Sequence, residues 1–192
     1  MEFTLTSRGA VEALPRFAAR MPAGVTLGPR TVLEPETAAA AIDAGASYLV
    51  SPTGGLDVIE RARRCGVAAL PGAFTPTEIL RACRASADAV KLFPTSVGGL
   101  AYLRAVKAPL PEVPLVPTGG VGLEEIGRYL DAGALAVGLG GPLVGDAGEG
   151  GDPGALRRRA EAAVAQVLEA PRAMTDGGLI TGPSSAGRAW RR

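Results

Sequence analysis

No histidine occurs anywhere in the 192 residues. That absence excludes histidine-based nucleophilic triads and zinc sites built on imidazole, and it leaves acid–base chemistry to carboxylates, lysine, tyrosine or water. Cysteine is nearly absent as well. Cys65 and Cys83 both fall in helical patterns without metal-ligand spacing, which predicts reduced thiols in a cytosolic protein and no metal centre. No apolar run approaches a membrane span, and no signal peptide opens the chain. Charge of one sign is also lacking: the net charge is +1, with 20% charged residues of both signs spread along the chain. A nucleic-acid groove and a polybasic membrane patch are therefore not expected. The one basic run inside the fold, Arg157-Arg158-Arg159, reads as a solvated helix face.

Lysine is the scarcity that carries most information. The chain has 18 arginines and only two lysines, Lys91 and Lys107. Lys91 stands in Ala89-Val90-Lys91-Leu92-Phe93-Pro94-Thr95-Ser96, a short apolar strand closed by proline. A lysine inside such a strand loses hydration, and burial pushes its pKa down. Only a lysine amine, once deprotonated, attacks a ketone to form a Schiff base; arginine cannot. The competing reading is a lysine that snorkels to the rim of a sheet. On Lys91 alone the two stand level.

What is present is a repeated pattern. Strands are predicted over 1–6, 25–28, 48–52, 67–71, 89–94, 113–117 and 134–138, with helices between them and a final amphipathic helix over 156–168. Thr75-Pro76-Thr77-Glu78 predicts a capping box with proline at the first helical position. Three helices share one stop signal, in Ala44-Gly45-Ala46, Cys65-Gly66-Val67 and Ala132-Gly133-Ala134. Seven strand–helix units in succession predict an α/β fold with parallel strands. Their regularity fits a (β/α)8 TIM-type barrel, with seven of eight units recognisable, better than a doubly wound sheet. A single barrel domain is expected over 1–170. The stretch 171–192 has no period and is expected to be a flexible tail.

In a barrel the chemistry collects at the C-terminal ends of strands. Those ends hold Glu2 to Thr6, Thr31, Pro52, Gly72, Lys91 to Thr95, and two glycine-rich loops, Thr118-Gly119-Gly120 and Gly138 to Gly141; among them Glu2, Lys91, Thr31 and Thr118 form a combination that could carry chemistry. Glycine loops there can hold phosphate on backbone N–H groups, or simply make tight turns. A carboxylate beside a Schiff base can shuttle its proton, although Glu2 reads equally as a solvated residue near the chain start.

Five collinear segments carry a family resemblance: Glu2-Phe3-Thr4-Leu5, Gly28 to Leu33, Lys91-Leu92-Phe93-Pro94, Pro117-Thr118-Gly119-Gly120-Val121 and Gly138 to Leu143. They resemble the 2-keto-3-deoxy-6-phosphogluconate (KDPG) / 4-hydroxy-2-oxoglutarate (KHG) aldolase family. The resemblance implies a class I aldolase on a (β/α)8 barrel, a homotrimer that needs no metal or other cofactor and takes a keto acid. It implies Lys91 as the Schiff-base lysine and Glu2 as general acid/base. Thr31, Phe93 with Pro94, and Thr118 would line the pyruvate site. Gly119, Gly120 and the Gly140-Gly141 loop would hold a distal phosphate.

The sequence departs from that pattern in four places. The first strand–helix unit of the family has no counterpart before Glu2. Thr6 stands where many members carry an arginine for the substrate carboxylate, and others threonine. Gly28-Pro29-Arg30-Thr31 replaces the usual Gly-Ala-Gly-Thr, which suggests that Arg30 partly supplies the guanidinium. Gly141 replaces a common phosphate-binding serine. Two other functions stay open on the sequence: an incomplete barrel kept for assembly or ligand binding, and a phosphosugar isomerase or epimerase that forms no lysine adduct.

Overall fold

The protein is described by a computed structural model, over residues 1–5 and 9–170. It is a mixed α/β chain that falls into two compact units, the first running Met1–Lys91 and the second starting at Leu92. Thr6 and the predicted tail 171–192 lie outside the described residues.

The first unit begins with β1 (Glu2–Thr4), α1 (Ala10–Ala18) and β2 (Gly28–Arg30). β1 and β2 pair in parallel, with Glu2 opposite Gly28 and Thr4 opposite Arg30. The strand predicted at 25–28 is displaced toward the C-terminus. Val25 N–H turns back on Pro22 O at 3.0 Å, so the ladder starts only at Gly28. α2 (Pro35–Asp43), β3 (Tyr48–Val50), α3 (Leu56–Arg64), β4 (Ala68–Leu70) and β5 (Gly72–Ala73) follow. β3 and β4 are parallel, and Val32 N–H donates to Val50 O at 3.2 Å, which places β2 beside β3. α4 (Pro76–Arg84) then leads to β6, Val90–Leu92, whose last residue opens the second unit.

Local chemistry accounts for the helix boundaries. Thr75 and Glu78 form the predicted capping box: Thr75 N–H donates to the Glu78 carboxylate at 2.7 Å and Glu78 N–H to Thr75 Oγ1 at 3.3 Å. These bonds to Thr75 and Phe74 hold the Glu78 carboxyl below its usual range. The three predicted glycine stops all take a left-handed backbone, which side chains disfavour: φ is 94° at Gly45, 68° at Gly66 and 88° at Gly133. Leu14, Leu49, Ile59 and Ile79 fill the core of this unit, each at 1% exposure or less. Each such side chain stabilises the fold by roughly 1.5–3 kcal/mol through burial.

The second unit contains the end of β6, a 3-10 turn over Thr95–Val97, α5 (Gly99–Lys107), β7 (Leu115–Pro117) and α6 (Ile126–Asp131), preceded by a 3-10 turn. A short helix α7 (Gly141–Val144) and a long one α8 (Pro153–Glu169) complete it. Leu92, Leu103, Leu115 and Ile126 form its core. Lys107 donates to Pro111 O and to Val113 O at 3.0 Å, so the second lysine of the chain is tied to a loop.

The seventh predicted strand is corrected here. Residues 134–138 form no ladder but one parallel bridge, Thr118 with Gly138, plus bonds to β7 from Leu135 N–H to Leu115 O at 2.9 Å and from Gly138 N–H to Pro117 O at 2.8 Å. Two of the four residues between Gly133 and Gly138 are alanines, which offer little side chain to pack on a sheet, and a glycine closes the run at each end. A second correction concerns Arg159. It is not part of a solvated basic face: its Nε donates to Leu143 O at 2.7 Å and its Nη2 to Val144 O at 2.8 Å. Among the described residues, no helix is long and apolar enough to cross a membrane.

Candidate active site

In the first unit, Lys91 is the buried charge the sequence pointed to. Its residue is 6% exposed, inside β6, and its N–H donates to Pro71 O at 2.9 Å. Burial pushes its ammonium below the ordinary lysine value, the Glu2 carboxylate pulls it back up, and the Arg30 guanidinium pushes it down again. Glu2, exposed at the start of β1, and Arg30, exposed at the end of β2, therefore both act on Lys91 electrostatically. That brings together three residues that are far apart in sequence.

Thr31 follows β2 directly, and its φ is 64°. A β-branched residue rarely occupies the left-handed region, and it stores roughly 1–2 kcal/mol of strain when it does. Glycine or asparagine would be the local choice, so the threonine side chain is present despite its backbone cost.

Tyr48 was read from sequence only as a strand residue, and the structure gives it a place beside this group. Its ring packs where a Gly28 side chain would stand, its hydroxyl donates to Met1 O at 2.8 Å, and burial followed by the Glu2 charge pushes the phenol up. The glycine in Gly28-Pro29-Arg30-Thr31 was the visible half of that signal. Its partner across the strands could not be read from spacing.

The second unit holds the remaining predicted residues. Phe93 and Pro94 follow β6 and are joined by a cis peptide bond. Gly119 (φ 81°) faces the Phe93 ring, where an added Cβ would come within 2.8 Å. Gly120 (φ 97°) faces Ser96, whose N–H donates to Gly119 O at 2.7 Å. These two glycines are thus required by close approach, whatever else they do. The Thr118 hydroxyl donates to Val116 O at 3.1 Å, and a Cβ on Gly138 would lie 2.3 Å from Thr118 Oγ1. Gly140 and Gly141, at the start of α7, have nothing within 4 Å of where a Cβ would be. Their surroundings are open.

The sequence places Thr95 among the strand-end positions but gives it no role in the site. Thr95 is 2% exposed; its hydroxyl donates to Leu92 O and accepts from Thr118 N–H, both at 2.9 Å. The residue type gave a hint, since a threonine after a strand-closing proline has few reasons to be buried. Among the described residues, no three acidic or thiol side chains gather as a metal-holding group.

Chemically, the first unit offers a lysine amine made less basic by burial, with a carboxylate acting on it. The second offers a ring, a hydroxyl and glycine-lined backbone. The 2-dehydro-3-deoxy-6-phosphogalactonate aldolase of Escherichia coli K12 is 35% identical over 144 residues, covering 74% of this chain and 70% of that protein. The 2-dehydro-3-deoxy-phosphogluconate aldolase of Pseudomonas aeruginosa is 38% identical over 131 residues, covering 68% of this chain but only 59% of that protein's length. A solved structure described as "Native KDPGal structure" superposes with a TM-score of 0.81 at 33% identity, covering 88% of this chain and 81% of that one. The sequence model of the family "Aldolase: KDPG and KHG aldolase" matches residues 1–153. The chain belongs to the KDPG and KHG aldolase family.

Proposed function

We propose that this protein is a class I aldolase that cleaves a 2-keto-4-hydroxy acid of the KDPG or KHG type to pyruvate and an aldehyde. The observation that carries the reading is Lys91: a buried amine with lowered basicity, in a chain of the aldolase family. At neutral pH a lowered pKa enlarges the neutral fraction, which is the nucleophile.

The steps follow from that amine. Neutral Lys91 Nζ adds to the C2 ketone, and loss of water gives the protonated Schiff base. A base, which we assign to Glu2, removes the C4 hydroxyl proton, directly or through water. The C3–C4 bond breaks, its electron pair passes into the iminium to give an enamine, and the aldehyde departs. Reprotonation at C3 and hydrolysis release pyruvate and regenerate the amine. We assign Thr31, Phe93, Pro94 and Thr118 to the pyruvate end, and Arg30 and Thr6 to its carboxylate. The assignment gives Thr118 a cost, because its hydroxyl proton is committed to Val116 O and has to be redirected to reach a substrate oxygen. Gly119, Gly120, Gly140 and Gly141 take the distal group, with the open surroundings of the last two as support.

The finer architecture belongs to the same proposal: a (β/α)8-type barrel, assembled as a homotrimer and acting in the cytoplasm. Parallel pairing of β1 with β2 and β3 with β4 supports the barrel.

The direct test is substrate cleavage. The full chain is incubated in EDTA with KDPG, its galactonate epimer and KHG in turn, and pyruvate is followed with lactate dehydrogenase and NADH. Release from at least one substrate is expected, and its rank order identifies the aldehyde. No release from any of the three by cooperatively folded protein would overturn the reading.

A further inference from the structure

We propose that Thr95 is a positioning residue for the keto-acid end of the site, fixing Thr118 through the Thr95 hydroxyl and backbone. The proposal rests on the reading of Thr118 as a wall of that site.

Two prolines interrupt the pairing around Thr118. Pro94 follows β6 and Pro117 ends β7, and neither has an N–H to donate to a ladder. Thr118 is the first residue after Pro117; it keeps one bond to the end of β6 and one bridge to Gly138, and bonds from outside the ladder complete its placement. Thr95 supplies two of them. Its N–H donates to Thr118 O at 2.9 Å, and its Oγ1 accepts from Thr118 N–H at 2.9 Å. The same Oγ1 donates to Leu92 O at 2.9 Å, and Thr118 N–H also reaches Leu92 O at 3.0 Å. The result is a closed triangle of Leu92 O, Thr95 Oγ1 and Thr118 N–H, with its Thr95–Leu92 side buried and its Thr118 corner half-buried. Both main-chain polar groups of Thr118 are bonded to Thr95.

The side chain of Thr118 is confined from the other direction by Gly138, whose missing Cβ leaves room for the Thr118 hydroxyl. Fixed at the backbone and confined at the side chain, Thr118 has one orientation to offer. The Thr95 hydroxyl is not needed merely to satisfy the neighbouring backbone. Without it, Thr118 N–H and Leu92 O still bond to each other, so its removal loosens the triangle without orphaning a buried donor. A threonine used only for packing could be replaced by valine, which has nearly the same shape.

The experiment compares Thr95→Val, which keeps the shape and removes the hydroxyl, with Thr95→Ser, which keeps the hydroxyl. Thr95→Ala is run beside them, so that a poorly folding valine variant leaves the comparison intact. The readout is the pyruvate concentration that gives half-maximal borohydride trapping on the enzyme, measured well below each melting temperature. Thr95→Val and Thr95→Ala should raise it about five-fold or more at the same final yield of adduct, with Thr95→Ser within two-fold of wild type. A half-saturation unchanged in valine and alanine variants, while wild type traps normally, would overturn the role of Thr95 alone. A serine variant as impaired as valine would also overturn it, because the hydroxyl would not be the active feature. Absence of adduct in wild type would bring down the aldolase reading and this proposal together.

Discussion

Tyr48 occupies the space that a side chain on Gly28 would fill. A Cβ on Gly28 would lie 2.5 Å from Tyr48 O and 2.7 Å from its ring, and the Tyr48 hydroxyl reaches past it to Met1 O at 2.8 Å. The carbonyl that accepts this bond belongs to the residue before Glu2, so the strand carrying the proposed acid/base is held by a tyrosine two strands away.

Gly28→Ala should therefore be costly. The obstruction includes a backbone oxygen, which cannot swing aside as a flexible side chain would. We expect a loss of about 2 kcal/mol in denaturant unfolding, in the range of overpacked sites. Stability unchanged within 0.5 kcal/mol, on the order of an ordinary surface substitution, would contradict the close approach.

Thr31→Gly should behave in the opposite sense. With φ at 64°, the threonine backbone is strained, and glycine adopts this conformation freely. Part of the relief is offset by the greater freedom of glycine in the unfolded chain, leaving a net gain of up to about 1 kcal/mol. Pyruvate half-saturation should rise at the same time, because the side chain is lost. A variant that is less stable than wild type would show that the threonine backbone is not strained.

Lys91→Met should abolish turnover and raise stability at neutral pH by about 1 kcal/mol, the usual exchange of function for stability at a buried charge. The sign follows from the direction of the shift. Because the folded-state pKa of Lys91 is lowered, protonation costs more in the folded than in the unfolded protein. The wild type is thus free of this penalty above the unfolded-state pKa and acquires it as pH falls from there to the folded-state value. The stability gap between variant and wild type should open across that window and stay constant below it. Thermal melts of both proteins from pH 7 to pH 10.5 measure this, and a gap that closes as pH falls would contradict it.

Arg159→Ala should loosen the segment after Gly140. The guanidinium binds two carbonyls at the end of α7, and Gly145 is free of a side chain where that guanidinium passes. Loss of both bonds should cost about 1–2 kcal/mol and speed amide exchange across residues 141–145, with exchange in α3 unchanged. Unaltered exchange there would return Arg159 to the role of a solvated charge.

Much of this was legible in the sequence because local chemistry determined it. Capping boxes, glycine stops and proline at a first helical turn act over a few residues, and the Thr75–Glu78 box and the stops at Gly45, Gly66 and Gly133 formed as read. Lys91 was legible as a candidate because it stands among apolar neighbours in a chain with only two lysines, and its 6% exposure decides between burial and the rim of the sheet. Residues 134–138 were not, since strand character in so short a run depends on what lies alongside. Arg159 was misread because a run of three arginines looks alike to a pattern, whereas only one of them meets the free carbonyls of α7. The place of Tyr48 and the role of Thr95 escaped for the same reason: their partners, Met1 and Gly28 in one case and Leu92 and Thr118 in the other, are supplied by tertiary contacts or by the end of a neighbouring strand.

The measurement that bears most directly on the central claim is borohydride reduction of the intact protein in the presence of pyruvate, followed by peptide mass spectrometry. With only Lys91 and Lys107 in the chain, the site of any lysine adduct is unambiguous. The account predicts a pyruvate-derived adduct on Lys91, none on Lys107, and none without pyruvate. Folded protein that gives no adduct, or carries it on Lys107, would contradict it.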